Sequence, residues 1–97
     1  MRFAWDPKKA AVNHDKHGVK FIDAITAFDD PHALIAPDSD HSTSVELRQW
    51  LIGNADTGVL VIIFTIRQPG DVYRIISARP ANRKERRQYV ESKKLSL

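Results

Sequence analysis

The chain predicts an α+β fold in the order β-α-α-β-β-β-β-α: two N-terminal helices, an antiparallel sheet and a basic C-terminal helix. Three observations carry this. Apolar residues recur at helical spacing in the first third of the chain. From about Ser44 the period changes to two, with Glu46, Arg48, Trp50 and Ile52 alternating with Leu47, Gln49, Leu51 and Gly53. The links between strands are too short for crossovers, which makes neighbouring strands antiparallel. At 97 residues the chain is expected to form one domain, 1–97, around one modest core.

The elements follow in order. Residues 2–5 suit a short strand. Asp6-Pro7 reads as a helix start, with Asp6 as N-cap and Pro7 at the first helical position. That helix is expected to run to His17 and stop at Gly18. Phe21, Ile22, Ala24, Ile25 and Phe28 mark a second helix, ended by Asp29-Asp30-Pro31. A polar connection spans 32–43, with room for a short strand around 33–36. Residues 44–53 form a strand, 54–58 a turn, 59–67 an almost wholly apolar strand, 68–71 a second turn and 72–79 the last strand. Asn82 with Glu85 three residues later matches a capping box with Asn at its first position, opening a helix to about Lys94.

The net charge of +3 hides an asymmetry. Residues 79–97 hold seven basic residues (Arg79, Arg83, Lys84, Arg86, Arg87, Lys93, Lys94) against Glu85 and Glu91, a net +5. Residues 1–78 carry a net −2. A basic end on a mildly acidic body is an electrostatic footprint for nucleic acid or for an acidic protein; a solvated charged helix has the same composition. The absence of cysteine excludes disulfides, thiolate catalysis and Cys-ligated zinc. No signal-peptide h-region is visible, and the longest apolar run is too short for a bilayer, so a cytoplasmic protein without membrane contact is expected.

Candidate chemistry centres on arginine. An apolar strand with Arg74 near its start and Arg79 at its end runs into the basic helix. Guanidinium stays charged and needs partners, so two on one strand suggest an anion to be held. The two differ by an odd number of residues. They point to opposite faces unless a bulge intervenes, and only one shares a face with Arg48 deep in the sheet. Glu46, Arg48 and Arg79 around a phosphate would have the parts for RNA cleavage: guanidiniums for a five-coordinate phosphorus, and a carboxylate or His for the 2′-OH proton. A Glu46–Arg48 pair on a solvated sheet face accounts for the same spacing. Histidine as a residue type suits acid–base work near neutral pH, so His17 could act as acid or base; beside Lys16 at a helix C-terminus it could equally serve the dipole. His14 and His17 lack an evident third ligand, so no metal is expected. Asp38-Ser39-Asp40 lacks the glycine and glutamate of an EF-hand loop. His41 could reach a site on the sheet or stay in its loop. Trp5, Trp50 and Phe21 read as core or packing residues. Tyr89 could stack on a base or pack on the sheet.

An ordered set of short segments spans most of the chain: Trp5-Asp6-Pro7 with Lys9 and Asn13; Lys16-His17-Gly18-Val19 with Phe21 and Ala24; Phe28 and Asp30; Asp40-His41; Glu46 with Arg48; Gly53; and Arg74-Ile75-Ile76-Ser77-Ala78-Arg79 with Glu85-Arg86 and Tyr89. With this set the chain resembles the BrnT-type toxins of BrnT–BrnA type II toxin–antitoxin pairs. It departs from them at Pro80-Ala81-Asn82-Arg83-Lys84, where members more often carry a Lys and a Thr or Ser, and at Trp50, which could alter packing or a substrate-facing surface. The resemblance implies a RelE-like fold and an endoribonuclease that arrests translation and growth without a metal or other cofactor. It implies neutralisation by a BrnA-like, DNA-binding antitoxin, through which alone the toxin would meet operator DNA. On this basis His17, Glu46, Arg48 and Arg79 are the catalytic candidates. Lys16, His41, Arg74, Arg83, Arg86 and Tyr89 are the RNA-binding candidates. The alternative is a non-catalytic nucleic-acid- or protein-binding module that uses the basic helix.

Overall fold

Local signals place the first elements where the sequence puts them in this computed structural model, which describes residues 1–95. After β1 (Arg2–Ala4), the Asp6 carboxylate accepts the Lys8 N–H at 2.8 Å and caps α1 (Pro7–His17). Gly18 ends α1 in the left-handed region, φ 70°, where a side chain would be strained. The second helix is shorter than expected. α2 (Phe21–Ala24) tightens into a 3₁₀ turn (Ile25–Asp29), where the Thr26 hydroxyl bonds back to the Asp23 carbonyl at 2.7 Å. The strands are β2 (Leu34–Pro37), β3 (Arg48–Ala55), β4 (Gly58–Arg67) and β5 (Val72–Pro80), and α3 (Arg83–Leu95) follows. The capping box forms in both directions: the Glu85 N–H donates to Asn82 at 2.8 Å and the Asn82 N–H to Glu85 at 2.9 Å. β3 begins later than the period suggests, because Thr43 and Glu46 close a turn on each other (Thr43 N–H to the Glu46 carbonyl, 2.8 Å).

The sheet runs β1-β5-β4-β3-β2. Its last four strands are antiparallel, but β1 pairs parallel with β5 (Arg2↔Val72 to Ala4↔Arg74), so the sheet is mixed rather than purely antiparallel. Short connections constrain only strands adjacent in sequence, and β1 meets its partner across nearly the whole chain. On the back face Phe21, Ala24 and Ala27 pack against Leu51, Leu60, Ile62, Phe64, Ile75 and Ala78. Gly53 lets this layer close: a Cβ there would lie 2.9 Å from Leu51 Cδ2 and 3.2 Å from the Ala27 carbonyl oxygen. On the front face Ile52, Val61, Ala81 and Tyr89 form a smaller cluster. α3 offers the body only a narrow stripe, Glu85, Tyr89 and Ser92; its other residues are exposed.

Two irregularities in β5 position everything that follows. First, Ile63 pairs with Ser77 but Phe64 with Ile75, so Ile76 is an extra residue, a β-bulge. Ile75 and Ala78 consequently both face the back core, while Arg74 and Arg79 both face the front. Second, β1 covers β5 only as far as Arg74. Beyond it the outer edge of β5 is completed by a side chain: buried Asn13 of α1 donates to the carbonyls of Ala78 (2.8 Å) and Val19 (3.0 Å) and accepts the Ala78 N–H (3.1 Å). The amide of Asn13 thus does locally what a neighbouring strand would do. Among the described residues no helix is long and apolar enough to cross a membrane.

Candidate active site

The bulge lines up three cross-strand rows on the front face. Arg48, Thr65 and Arg74 form one; Trp50, Ile63 and Ser77 the next; Ile52, Val61 and Arg79 the third, beneath α3. A groove of about 540 Å³ lies along the second and third rows. The β2 side, the 38–41 loop and α3 wall it, and His41, Arg79, Glu85, Trp50 and Gln88 are among its lining residues.

Each charged group is held differently. Arg79 makes a two-pronged bond to Glu85, Nη1 to Oε1 at 2.7 Å and Nη2 to Oε2 at 2.8 Å. The bond raises the Arg79 pKa above the ordinary guanidinium value and lowers that of Glu85, against the opposing effect of burial on each. Glu85 therefore serves twice, closing the capping box and aiming an arginine. Arg48 Nε meets Glu46 at 3.2 Å, and Glu46 also lies 3.8 Å from Arg67, so the sheet-edge ion pair does form, with Glu46 in the turn before the strand. Arg74, half-buried, has no ion-pair or hydrogen-bond partner among the described residues. A guanidinium in that position is available to an anion.

The 38–42 loop supplies an imidazole. The buried Asp38 carboxylate contacts His41 Nδ1 at 2.9 and 3.1 Å, leaving the exposed Nε2 side of the ring toward solvent and the groove. The loop is tied to β3: the Ser42 hydroxyl donates to the Asp38 carbonyl (2.7 Å) and accepts the Arg48 N–H (2.9 Å). A carboxylate that orients a histidine, whose other nitrogen has no partner among the described residues, is the arrangement of a general base.

Four of the sequence candidates lie elsewhere, and a fifth is spent on packing. Lys16 and His17 line a separate groove of about 310 Å³ against the back of β5, with Lys8, Lys9, Val12 and Ile76. His17 does not share a groove with Arg79, because α1 packs on the other side of the sheet. Arg83 and Arg86 lie with Arg87 and Lys94 along a further surface of α3, outside the groove. Tyr89 does not offer its ring to a base. It is 4 % exposed, packed beside Ile52 and Val61, and its hydroxyl donates to Asp30 at 2.5 Å. Sequence reasoning missed Asp38, for which the Asp-x-x-His spacing of 38 and 41 was the available signal; Trp50 packs half-buried against the front cluster, as a packing residue should, and also lines the groove. Among the described residues no group of three or more acidic or histidine side chains converges as metal ligands.

Asp30 is the junction that seats α3. Burial alone would raise its pKa, but the Tyr89 hydroxyl and the amides of Asn54 and His32 outweigh it and hold the carboxyl below its ordinary value. Burial, and then Asp30, push the Tyr89 hydroxyl up to about 12. The raised pKa fixes the sign. Tyr89 contributes stability that is complete below its unfolded value of 10.0 and lost as pH rises through about 12. Asp30 contributes stability that is present above 3.8 and lost as pH falls below it. In urea unfolding between pH 8 and 12, the parent should therefore lose stability relative to Tyr89→Phe above pH 10. Parallel curves would show that the hydroxyl does not carry the linkage.

A search of curated proteins finds no match to this sequence. A family model does match, over residues 5–85, from Trp5 through the bulged strand to Glu85, and its description is the ribonuclease toxin BrnT of a type II toxin–antitoxin system. The match covers most of the chain, and the protein belongs to that family of ribonuclease toxins, each the counterpart of an antitoxin.

Proposed function

We propose that the protein is an endoribonuclease that cuts single-stranded RNA on the front face of its sheet. One observation supports this above the others: the bulge at Ile76 brings Arg74 and Arg79 onto the face that carries Arg48, and the Arg74 side chain has no partner among the described residues. In this reading His41, aligned by Asp38, takes the proton of a 2′-OH. The 2′-oxygen bonds to the neighbouring phosphorus, the bond to the 5′-oxygen breaks, and that oxygen leaves with a proton drawn from water. The products are a 2′,3′-cyclic phosphate and a 5′-hydroxyl. Arg79 meets the charge that grows on the five-coordinate phosphorus, and Arg74 and Arg48 hold the next phosphate of the strand. The cell would experience this as an arrest of translation in the cytoplasm. A BrnA-like antitoxin would relieve it and would carry the DNA-binding function of the pair.

The test is induced expression with and without the neighbouring gene, with primer extension on cellular RNA. Growth arrest, new 5′ ends and rescue by the neighbour are expected. His41→Ala should remain folded and lower cleavage by a factor on the order of a hundred, the scale for a general base, and Arg74→Ala should remain folded and weaken RNA binding. Normal growth at verified soluble expression would overturn the reading. Full activity of His41→Ala would remove the imidazole from it.

A further inference from the structure

We propose that Trp50 is a stacking platform for one base of the RNA strand. The proposal rests on the ribonuclease reading of the front face and names a substrate contact within it. The aromatic residues divide sharply. Phe3, Trp5, Phe21, Phe28, Phe64 and Tyr73 are all engaged in ring pairs, with centroids 5.0 to 6.0 Å apart. Tyr89 is buried and its hydroxyl is bonded. Trp50 is the remaining aromatic residue. It is half-buried, lines the front groove, and makes no ring pair among the described residues. Its indole N–H has no partner there either, although every buried side-chain polar atom described has one, so the N–H faces solvent. A core tryptophan would normally bond that group.

The surroundings of Trp50 fit a nucleotide strand. Its neighbours across the strands are Ile63 and the small Ala36. One row away, about 6.6 Å along the strand by ordinary pleat spacing, lie Arg48 and Arg74. One row the other way lies Arg79. An apolar ring between two sets of guanidiniums repeats the order of RNA itself, phosphate, base, phosphate. Stacking needs the base unpaired, which selects single-stranded RNA over a duplex.

The experiment uses a 2′-O-methyl oligonucleotide, which binds but lacks the attacking hydroxyl, and its abasic counterpart. Binding of the base-bearing strand should quench Trp50 fluorescence, and the quench should be absent in Trp50→Phe, where Trp5 still emits. Trp50→Leu keeps apolar bulk beside Ile63 and should bind on the order of ten-fold more weakly, as expected for the loss of one stacked base. Trp50→Phe should stay close to the parent. Because no phosphate contact is lost, Trp50→Leu should leave the slope of log affinity against log salt unchanged, whereas Arg74→Ala should reduce it by about 0.7. Equal quenching by the abasic strand, or parental affinity in a folded Trp50→Leu, would overturn the platform. Base-dependent binding without cleavage of unmodified RNA would support the platform while removing the ribonuclease reading. Unaltered affinity with full cleavage would do the reverse.

Discussion

Arg79→Ala should give a folded, antitoxin-binding protein whose RNA cleavage is slower by a factor on the order of a hundred or more. A guanidinium aimed before the reaction begins acts mainly on charge that develops in the transition state, and removing one such donor has an effect of this size. The aim is visible in the bidentate bond to Glu85. The fold should tolerate the loss. The Arg79 side chain is 40 % exposed, and ion pairs of that kind contribute about 1 kcal/mol at most. Glu85 would keep the Asn82 N–H as a donor, so α3 would keep its cap. Arg79→Lys should recover only part of the rate, because lysine carries the charge without the fork. Cleavage assays beside thermal melting decide the matter. An alanine variant that melts like the parent and cuts at the parental rate would take Arg79 out of the mechanism.

The largest effect on stability should come from a residue without charge. Asn13→Ala removes three hydrogen bonds from a buried site and leaves the carbonyls of Val19 and Ala78 and the Ala78 N–H without partners. Each such group costs about 1 to 3 kcal/mol. A loss of about 3 kcal/mol or more follows, a large part of the margin of a small domain. On the usual scale for this chain length the melting temperature should fall by about 12 °C or more. Asn13→Asp should do no better, since it sets a carboxylate against two carbonyl oxygens. Lys9→Ala, exposed on the same helix, should shift stability by less than about 0.5 kcal/mol. A urea midpoint for Asn13→Ala within the range of the Lys9 control would show that water replaces the amide without penalty.

These two residues mark where the sequence is legible and where it is not. Caps, turns and periods act within a few positions, so Asp6, Gly18 and the Asn82–Glu85 box place α1 and α3 correctly. The parallel partner of β1 is chosen across almost the whole chain, and no local pattern expresses it. The bulge is one extra residue in a ladder whose composition looks continuous, yet it decides whether Arg74 and Arg79 share a face. Parity alone separates them. The histidines show the same limit. His17 and His41 are equally plausible from residue type, and only the loop closed by Ser42 and Asp38 turns His41 toward the groove. The Glu46–Arg48 spacing was informative about a contact but silent about its use. Trp50 packs on the front cluster, as the alternation of its strand predicts, and lines the groove as well. What distinguishes it is the company its ring lacks.

The burial of Tyr89 in α3 has a consequence for motion. Tyr89 is the only fully buried side chain among the described residues of that helix, and its hydroxyl meets a carboxylate that also gathers amides from β3 and from the turn before β2. The helix is therefore divided. The turns between the cap and Tyr89 are bound at both ends and can open only together with the Asp30 junction. The turns beyond Tyr89 lie outside that junction and are not needed to hold it. Because Glu85 lies in the inner half, the orientation of Arg79 belongs to the slow-opening part of the molecule, and unravelling of the basic tip leaves it undisturbed.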